Sequence, residues 1–274
     1  MQSKKGFLPH GRPGTDIMPG AQTVISVENI SVELNGRTIL EKVSFDVKQG
    51  EFIAVLGPNG AGKTTLFKVL LGLLGPAHGK AVVLGKPPRL GAKEIGYTPQ
   101  HRILETDLAL RARDVVGFGL DGNKWGIGFG SRRRNAAIDK VLEEVGVCHL
   151  ADAPVGRLSG GEQQQMFIAQ ALITNPKILM LDEPLSNLDI SHARKIVALL
   201  AGISRNRGVA VMLISHDINP LLHSVDRVLY MANGHGVLGA PKEVITSETL
   251  SMLYNSKVDV VHSGGRIFVA GADV

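Results

Sequence analysis

The residues with the clearest chemistry form a glycine-rich loop that fits the pattern G-x-x-x-x-G-K-[ST]. They are Gly57, Pro58, Asn59, Gly60, Ala61, Gly62, Lys63, Thr64 and Thr65. Glycines let backbone N–H groups surround a phosphate without Cβ clashes, and a helix starting at the loop adds partial positive charge. Lys63 is expected to reach the β- and γ-phosphates, and the Thr64 hydroxyl to bind Mg²⁺. The loop therefore predicts a nucleoside triphosphate site.

The segments on either side of the loop have the order that the motif requires. Residues 51–56 are apolar after the first position and predict a short buried strand, and residues 66–74 predict a helix that ends at Gly75-Pro76. The alternative is a fortuitous glycine-rich turn. The flanking strand and helix disfavour it, because a phosphate-binding loop must connect those two elements.

Composition limits the class of protein. The chain has 274 residues, 44% of them hydrophobic, which suits one large domain or one domain with a subdomain. A net charge of +5 could suggest nucleic acid, but the basic residues are dispersed apart from Arg132-Arg133-Arg134, so we expect no nucleic-acid partner. One cysteine, Cys148, excludes an internal disulfide, fits a reducing compartment and is expected to be buried.

The apolar runs of the sequence are too short for a membrane-spanning helix. Even the longest fall far short of the about 18 residues that such a helix needs. Residues 1–22 are rich in Gly, Pro and basic residues without the apolar core of a signal peptide, and predict a disordered tail. The folded domain is expected to occupy residues 23–274.

The first half of the chain predicts a β-rich part followed by a helical part. Residues 24–34 and 37–47 flank Asn35-Gly36, the strongest short signal for a β-hairpin, and two further short strands are expected at 80–84 and 94–98. From about 101 to 160 the pattern is helical, with one helix at 133–145. Within that subdomain, a surface loop containing the single tryptophan, Trp125, is expected at 117–130.

The second half predicts parallel strands that end in chemically active side chains. After a helix at 163–175, the strand at 177–181 leads directly into Asp182 and Glu183. A helix at 191–205 and a strand at 210–214 follow, and His216 stands just beyond that strand. The C-terminal part adds strands at 228–231 and 266–269 around a short helix at 247–254.

From residue 24 onward, the chain resembles the nucleotide-binding subunits of ATP-binding-cassette transporters. Five motifs occur in that family's order. They are the Walker A loop 57–65, the Q-loop Tyr97-Thr98-Pro99-Gln100, the signature Leu158-Ser159-Gly160-Gly161-Glu162, the Walker B strand 178–183 with the D-loop Ser186-Asn187-Leu188-Asp189, and the switch histidine His216. The resemblance implies an α/β P-loop fold with an antiparallel β layer and a helical subdomain.

The resemblance also implies a role for each motif. Thr64, Gln100 and Asp182 would hold Mg²⁺, Glu183 would orient or deprotonate the attacking water, and His216 would bond the γ-phosphate. In the family, two cassettes close head to tail around two ATP molecules. The edge that meets the second subunit's ATP would be formed here by Ser159, Gly160, Gly161 and Glu162, with Asp189 at the same interface.

Three positions depart from the family pattern. Leu34 stands where an aromatic residue usually stacks on adenine, which predicts weaker discrimination between bases. Glu162 replaces the commoner Gln of the signature. Gln165 replaces an Arg that often follows the Gln run, which puts contacts of the signature helix in doubt.

The stretches 106–117, 216–230 and 243–254 resemble the branch that imports manganese, zinc or iron. The resemblance implies a cytoplasmic, membrane-peripheral ATPase that dimerises and drives a separate permease, supplied by an extracytoplasmic metal-binding protein. The transported ion is expected to bind those partners, because the nine histidines show no metal-ligand spacing. The alternatives are a siderophore or cobalamin importer and a soluble cassette ATPase outside transport.

Overall fold

The computed structural model describes residues 21–100, 110–121 and 131–271. The strands are β1 (Thr23–Leu34), β2 (Arg37–Lys48), β3 (Phe52–Leu56), β4 (His78–Val83), β5 (Ile95–Thr98), β6 (Ile178–Asp182), β7 (Ala210–Ile214), β8 (Arg227–Ala232), β9 (His235–Gly239), β10 (Val258–Ser263) and β11 (Arg266–Gly271). The helices are α1 (Lys63–Leu70), α2 (Ala112–Asp121), α3 (Arg132–Glu144), α4 (Gly160–Leu172), α5 (Ile190–Arg207), α6 (Pro241–Val244) and α7 (Ser247–Tyr254).

The central sheet brings the ends of three strands together. Its order is β5-β6-β7-β3-β8-β9, and all neighbours pair in parallel except the last two. Every residue of β3, β6 and β7 is buried, as expected for strands covered on both faces. Because β6, β7 and β3 are adjacent, the loops at their carboxyl ends meet at one edge, where ligands bind in open α/β sheets.

An antiparallel layer packs beside this sheet. It has the order β2-β1-β4, and the Asn35-Gly36 turn joins β1 to β2 as the dipeptide predicts. Asn35 and Gly36 both have positive φ, at 52° and 73°, the backbone conformation that a tight hairpin needs. The predicted antiparallel layer is therefore confirmed.

Helices α2, α3 and α4 form the helical part. Arg134 of α3 pairs with Asp121 of α2 at 2.6 Å, and the Gln165 side chain of α4 donates to the Val145 carbonyl at 2.6 Å, just beyond α3. Gln165 therefore has a partner within the helical part in place of the Arg that the family often carries.

Several boundaries differ from the prediction. Helices α1 and α4 each begin three residues earlier than expected, because residues 63–65 and 160–162 already form the first helical turn. The loop expected at 117–130 begins as helix, since α2 continues to Asp121, and Trp125 lies outside the described residues. Cys148 is exposed in a short 3₁₀ turn, so the prediction of a buried thiol is wrong.

The C-terminal part is a β-hairpin, β10 and β11, packed next to α7. Val258 and Ile267 are its buried anchors, and they join the core cluster that contains Leu250 and Leu253 of α7. The strands β9 and β10 were not predicted. Across the ranges that the structure describes, none of the helices combines the length and the apolar character needed to cross a bilayer.

Candidate nucleotide site

The phosphate loop connects β3 to α1 in a conformation that depends on glycine. Gly57 has φ +137°, and a Cβ there would lie 1.9 Å from the Met231 carbonyl oxygen. Gly62 has φ +94°, and its Cβ would lie 2.5 Å from a methyl carbon of Leu40. The loop is thus pressed against β8 and β2, and any side chain at either position would displace it.

Helix α1 begins directly at the end of this loop, and its N-terminus has no side-chain cap among the described residues. Gly62 is the N-cap residue. The first backbone N–H groups of a helix lack intrahelical partners and carry partial positive charge, which suits an anion. The sequence therefore leaves this helix end free for phosphate.

Lys63 is buried at the start of α1. Its ammonium donates to the carbonyl oxygens of Gly57 at 2.6 Å and Pro58 at 2.8 Å. Burial lowers the pKa of Lys63, and the charges of Glu183 and Asp182 oppose that shift. The side chain is therefore held within the loop that it is predicted to serve.

Thr64 and Asp182 meet at the predicted magnesium position. The Thr64 hydroxyl donates to Asp182 Oδ2 at 3.2 Å, while the buried Oδ1 has no hydrogen-bond partner among the described residues. Burial raises the pKa of Asp182. A buried carboxylate oxygen without a protein partner, beside a hydroxyl, is the hard oxygen set that Mg²⁺ prefers, so these residues fit the ion.

Glu183 adopts a left-handed backbone conformation, with φ +51°. Its N–H donates to the Ile214 carbonyl at 3.1 Å, its carbonyl accepts from the Ser186 hydroxyl at 2.8 Å, and its carboxylate accepts from the Gln100 amide at 2.7 Å. The Q-loop glutamine and the second Walker B carboxylate are thus in direct contact. Sequence reasoning missed Ser186 as the residue that supports this turn.

A cleft of about 170 Å³ joins these groups to the signature helix. It is lined by Pro99, Gln100, Asp182, Glu183, Ser186, Asn187 and Leu188 and, from α4, by Gly160, Gln163, Gln164 and Phe167. The structure therefore brings the Q-loop, the Walker B carboxylates, the D-loop and the signature helix of one chain to a common opening. Gln163 and Gln164 belong to the Gln run that follows the signature, and sequence reasoning did not place them at this cleft.

His216 lies on the turn after β7, between β6 and β3 in the sheet. Its side chain is exposed. The preceding residue, Ser215, is buried and donates its backbone N–H to the Val55 carbonyl of β3 at 3.1 Å. The turn that carries His216 is therefore joined to the strand that leads into the phosphate loop.

The signature residues cap helix α4 by hydrogen bonds among themselves. Ser159 is the N-cap of α4, and its N–H and hydroxyl donate to the Glu162 carboxylate at 2.7 and 2.8 Å. These bonds, the backbone one first, lower the pKa of Glu162. Ser159 and Gly160 are exposed, and Gly161 is buried. This is the capping box that an S-x-x-E sequence predicts.

Asp189 caps the next helix and lies close to the signature. It accepts from the His192 backbone N–H at 2.9 Å, which lowers the pKa of Asp189, and its carboxylate meets the His192 ring at 2.7 Å. The same ring covers Gly161, where a Cβ would lie 2.7 Å from its Cδ2. His192, which no motif identified, therefore joins the D-loop to the signature.

Leu34 ends β1 directly opposite Arg37 of β2. Its side chain is half-buried and packs on the core cluster of the antiparallel layer. An aliphatic side chain there offers an apolar contact without a π face.

Together, the fold and this site define a P-loop ATPase of the nucleotide-binding class. The family model described as "ABC transporter" matches residues 40–186, more than half of the chain. The chain belongs to the ABC transporter family and is an ATPase of that family.

Similar proteins with curated names are ATP-binding subunits. The zinc import ATP-binding protein ZnuC of Yersinia enterocolitica is 33% identical over 86% of each chain. The manganese transport system ATP-binding protein MntB of Bacillus subtilis is 32% identical over 85% of this chain and 93% of its own. The hemin import ATP-binding protein HmuV of Bordetella avium is 36% identical over 86% and 94%.

Solved structures show the same architecture. An inward-facing metal-chelate type ABC transporter matches 90% of this chain and 96% of its own, with a TM-score of 0.75 and 26% identity. The ADP conformation of the cassette MJ1267 matches 85% and 95%, with a TM-score of 0.72 and 26% identity.

Proposed function

We propose that this protein is the ATPase subunit that powers import of a divalent metal ion through a separate membrane permease. The observation that carries the proposal is the meeting of Thr64, Asp182, Glu183 and Gln100 at the carboxyl edge of the central sheet, beside a helix N-terminus that none of the described side chains caps. Such an arrangement suits the hydrolysis of a bound triphosphate and has no evident structural purpose, since it leaves a buried carboxylate oxygen without a partner among the described residues.

The phosphate loop and α1 bind the triphosphate in this proposal. Backbone N–H groups of the loop 57–65, to which Pro58 contributes none, surround the β- and γ-phosphates, and Lys63 moves its ammonium from the loop carbonyls to the phosphate oxygens. Thr64, Asp182 and Gln100 would hold Mg²⁺, and the bound ion would neutralise part of the phosphate charge.

Glu183 is the catalytic base. Its carboxylate follows Asp182 directly and opens into the cleft, where it can accept a proton from the attacking water. Gln100 already contacts this carboxylate at 2.7 Å, so movement of the Q-loop changes the access of water to the base. His216, at the end of the neighbouring β7, donates to the γ-phosphate oxygen as charge develops there.

The second anion-binding edge serves a second copy of the chain. Ser159 and Gly160 are exposed at the start of α4, Gly161 and Glu162 follow them, and Asp189 is exposed nearby. An exposed helix N-terminus next to the D-loop suits a head-to-tail dimer in which this edge closes on the partner's nucleotide. ATP then joins two copies.

The transported substrate is proposed from the relatives. Names of similar proteins specify zinc and manganese, which favours a divalent ion as substrate, a cytoplasmic location at the membrane surface, a permease partner and an extracytoplasmic metal-binding protein. In the described parts of the chain, no group of three or more His, Cys, Asp or Glu side chains forms a metal cluster. An iron chelate is the second candidate, favoured by the 36% identity to the hemin import subunit and by the metal-chelate transporter structure.

The test is ion accumulation in cells that lack the gene. Uptake of Mn²⁺, Zn²⁺, Fe²⁺ and hemin is measured after complementation with wild type, Glu183→Gln or Glu143→Gln, whose side chain is exposed on α3 and serves as the matched control. We expect wild type and Glu143→Gln to restore uptake of one divalent ion, and Glu183→Gln to fail. Restored hemin uptake alone would favour the chelate, and no response to any of the four would overturn the importer proposal.

A further inference from the structure

The turn that carries His216 is held by a chain of hydrogen bonds. The Ser215 hydroxyl accepts from the Asp217 N–H at 3.1 Å and donates to the Asp217 carbonyl at 2.9 Å. Asp217 Oδ1 accepts from the backbone N–H of Asn219 at 2.9 Å and from its side-chain amide at 2.8 Å. His216 therefore stands between two residues that bond to each other, and the second of them, Asp217, is bonded to Asn219.

Asn219 also bonds to a strand far along the chain. Its Oδ1 accepts from the Ile267 N–H at 2.8 Å, and its Nδ2 donates to the Ile267 carbonyl at 3.0 Å. One amide thus pairs with both backbone polar groups of one residue, as a neighbouring strand would do. The bonds connect the His216 turn to β11, which lies outside the residues that the family model matches.

The hairpin that receives these bonds is itself firmly anchored. Ile267 is 6% exposed and belongs to the same buried cluster as Ile218, the neighbour of Asn219. On the other strand, Ser251 of α7 donates to the Val258 carbonyl at 3.2 Å and accepts from the Val258 N–H at 3.0 Å. A hairpin held by a buried core and by α7 provides a fixed support for the turn.

We propose that Asn219 is a positioning residue that ties the His216 turn to the C-terminal hairpin and so presents the imidazole to the γ-phosphate. The inference rests on the proposed role of His216. An exposed histidine on a free turn would sample many orientations, and aligning it would cost free energy in each catalytic cycle. Asn219 acts through the turn and does not touch the nucleotide.

The experiment is steady-state ATP hydrolysis by the full-length Asn219→Ala variant. We expect kcat to fall about ten- to a hundredfold, the loss typical of a misplaced catalytic group, while KM for ATP changes less than about twofold. Ser251→Ala is the matched control, because it removes two side-chain bonds to the first strand of the same hairpin but leaves the buried anchors Val258 and Ile267 and the Asn219 bonds in place. It should leave kcat and KM unchanged.

Thermal melting of both variants separates positioning from folding. If Asn219→Ala keeps the wild-type kcat, or loses kcat only in proportion to lost folded protein, the inference is wrong. A His216→Ala variant that hydrolyses normally would remove His216 from its proposed role and the inference with it. An impaired His216→Ala variant beside a normal Asn219→Ala variant would overturn the positioning role alone.

Discussion

Two helix N-termini border the site, and they differ in whether side chains cap them. Helix α1 begins at Gly62 without a capping side chain among the described residues, whereas Ser159 and Glu162 cap α4 reciprocally. The first has no side-chain cap over its N–H groups and follows a loop in which Gly57 and Gly62 are buried. The second is exposed and already has a carboxylate against its N-cap residue.

The difference shows how one chain can bind an anion at two ends with unequal strength. Residues around α1, such as Gly62 and Asp182, are buried in the core, so their arrangement exists before any ligand binds. At α4, an incoming phosphate must compete with the Glu162 carboxylate for the Ser159 hydroxyl. We infer that nucleotide first binds at α1, and that closure on α4 is the weaker and later step.

Removing the base should have the largest effect on this two-sided site. Glu183→Gln should lower the ATPase rate by about a hundredfold or more, because the amide cannot accept the proton of water. ATP binding at α1 should persist, and the dimer should accumulate. ATPase assays and size-exclusion chromatography with ATP measure both effects. Normal hydrolysis by the variant would remove Glu183 from its proposed role.

Substitutions at two glycines test whether the close packing of the α1 loop against its neighbours is needed for nucleotide binding. Gly57→Ala should destabilise the protein by about 3 kcal/mol and abolish nucleotide binding, because its Cβ meets the Met231 carbonyl oxygen at 1.9 Å. Gly85→Ala, outside the loop, is the control, since its Cβ would have none of the described atoms within 4 Å and only the φ of +77° adds strain, about 1 kcal/mol. Thermal melting and titration with a fluorescent ATP analogue compare them. Equal losses of stability and nucleotide binding in the two variants would show that the close contact at Gly57 is not what makes glycine necessary there.

Because Asp182 is buried, replacing this functional carboxylate should make the folded protein more stable. Its raised pKa means that the ionised carboxylate costs free energy in the folded state, so the melting temperature of nucleotide-free Asp182→Asn should increase by about 2 °C, or about 1 kcal/mol. The folded wild type binds the proton more readily than the unfolded chain, so wild-type stability falls as pH rises through the raised pKa.

The advantage of Asp182→Asn should therefore vanish below about pH 4, where both states of the wild type are protonated. Calorimetry across pH measures this difference, and Mg²⁺-dependent ATP binding should be lost at every pH. A variant that melts below wild type at neutral pH would show that the carboxylate stabilises the empty site.

The smallest effect is expected at the α4 edge. Glu162→Gln preserves the capping pattern and removes a negative charge, so Ser159 should meet a phosphate more readily. In a Glu183→Gln background, the ATP concentration for half-maximal dimerisation should fall about two- to fivefold, equivalent to about 0.5 to 1 kcal/mol.

Glu243→Gln is the control for the α4 prediction. Its carboxylate accepts the Ala240 N–H at 3.1 Å in a similar cap of α6. It should leave ATP-driven dimerisation unchanged. If Glu162→Gln weakens dimerisation, the carboxylate assists closure, and it does not compete with phosphate at α4 as the comparison of the two helix ends assumes.

Much of the fold was predictable, because the strongest signals are local. Asn35-Gly36 predicts the hairpin, and continuous apolar runs predict β6 and β7, since only a strand covered on both faces can bury every residue. Helix starts were less predictable. Glycines at 160 and 161 disfavour helix by propensity, yet they form the first turn of α4 because Ser159 and Glu162 stabilise it.

The sequence by itself determined the phosphate loop, the order of the motifs and the identity of the acid, base and histidine candidates. Each of these is a pattern of residue types at short spacing, which can be recognised without a fold. The tertiary structure alone decided the contacts between distant segments. It placed Gln100 on Glu183, left Asp182 Oδ1 without a described protein partner, laid His192 over Gly161 and paired Asn219 with Ile267. Those contacts depend on strand order and core packing. Asn219 and Ile267 are 48 residues apart, and Gln100 and Glu183 are 83 residues apart. Short sequence patterns cannot indicate contacts over such separations.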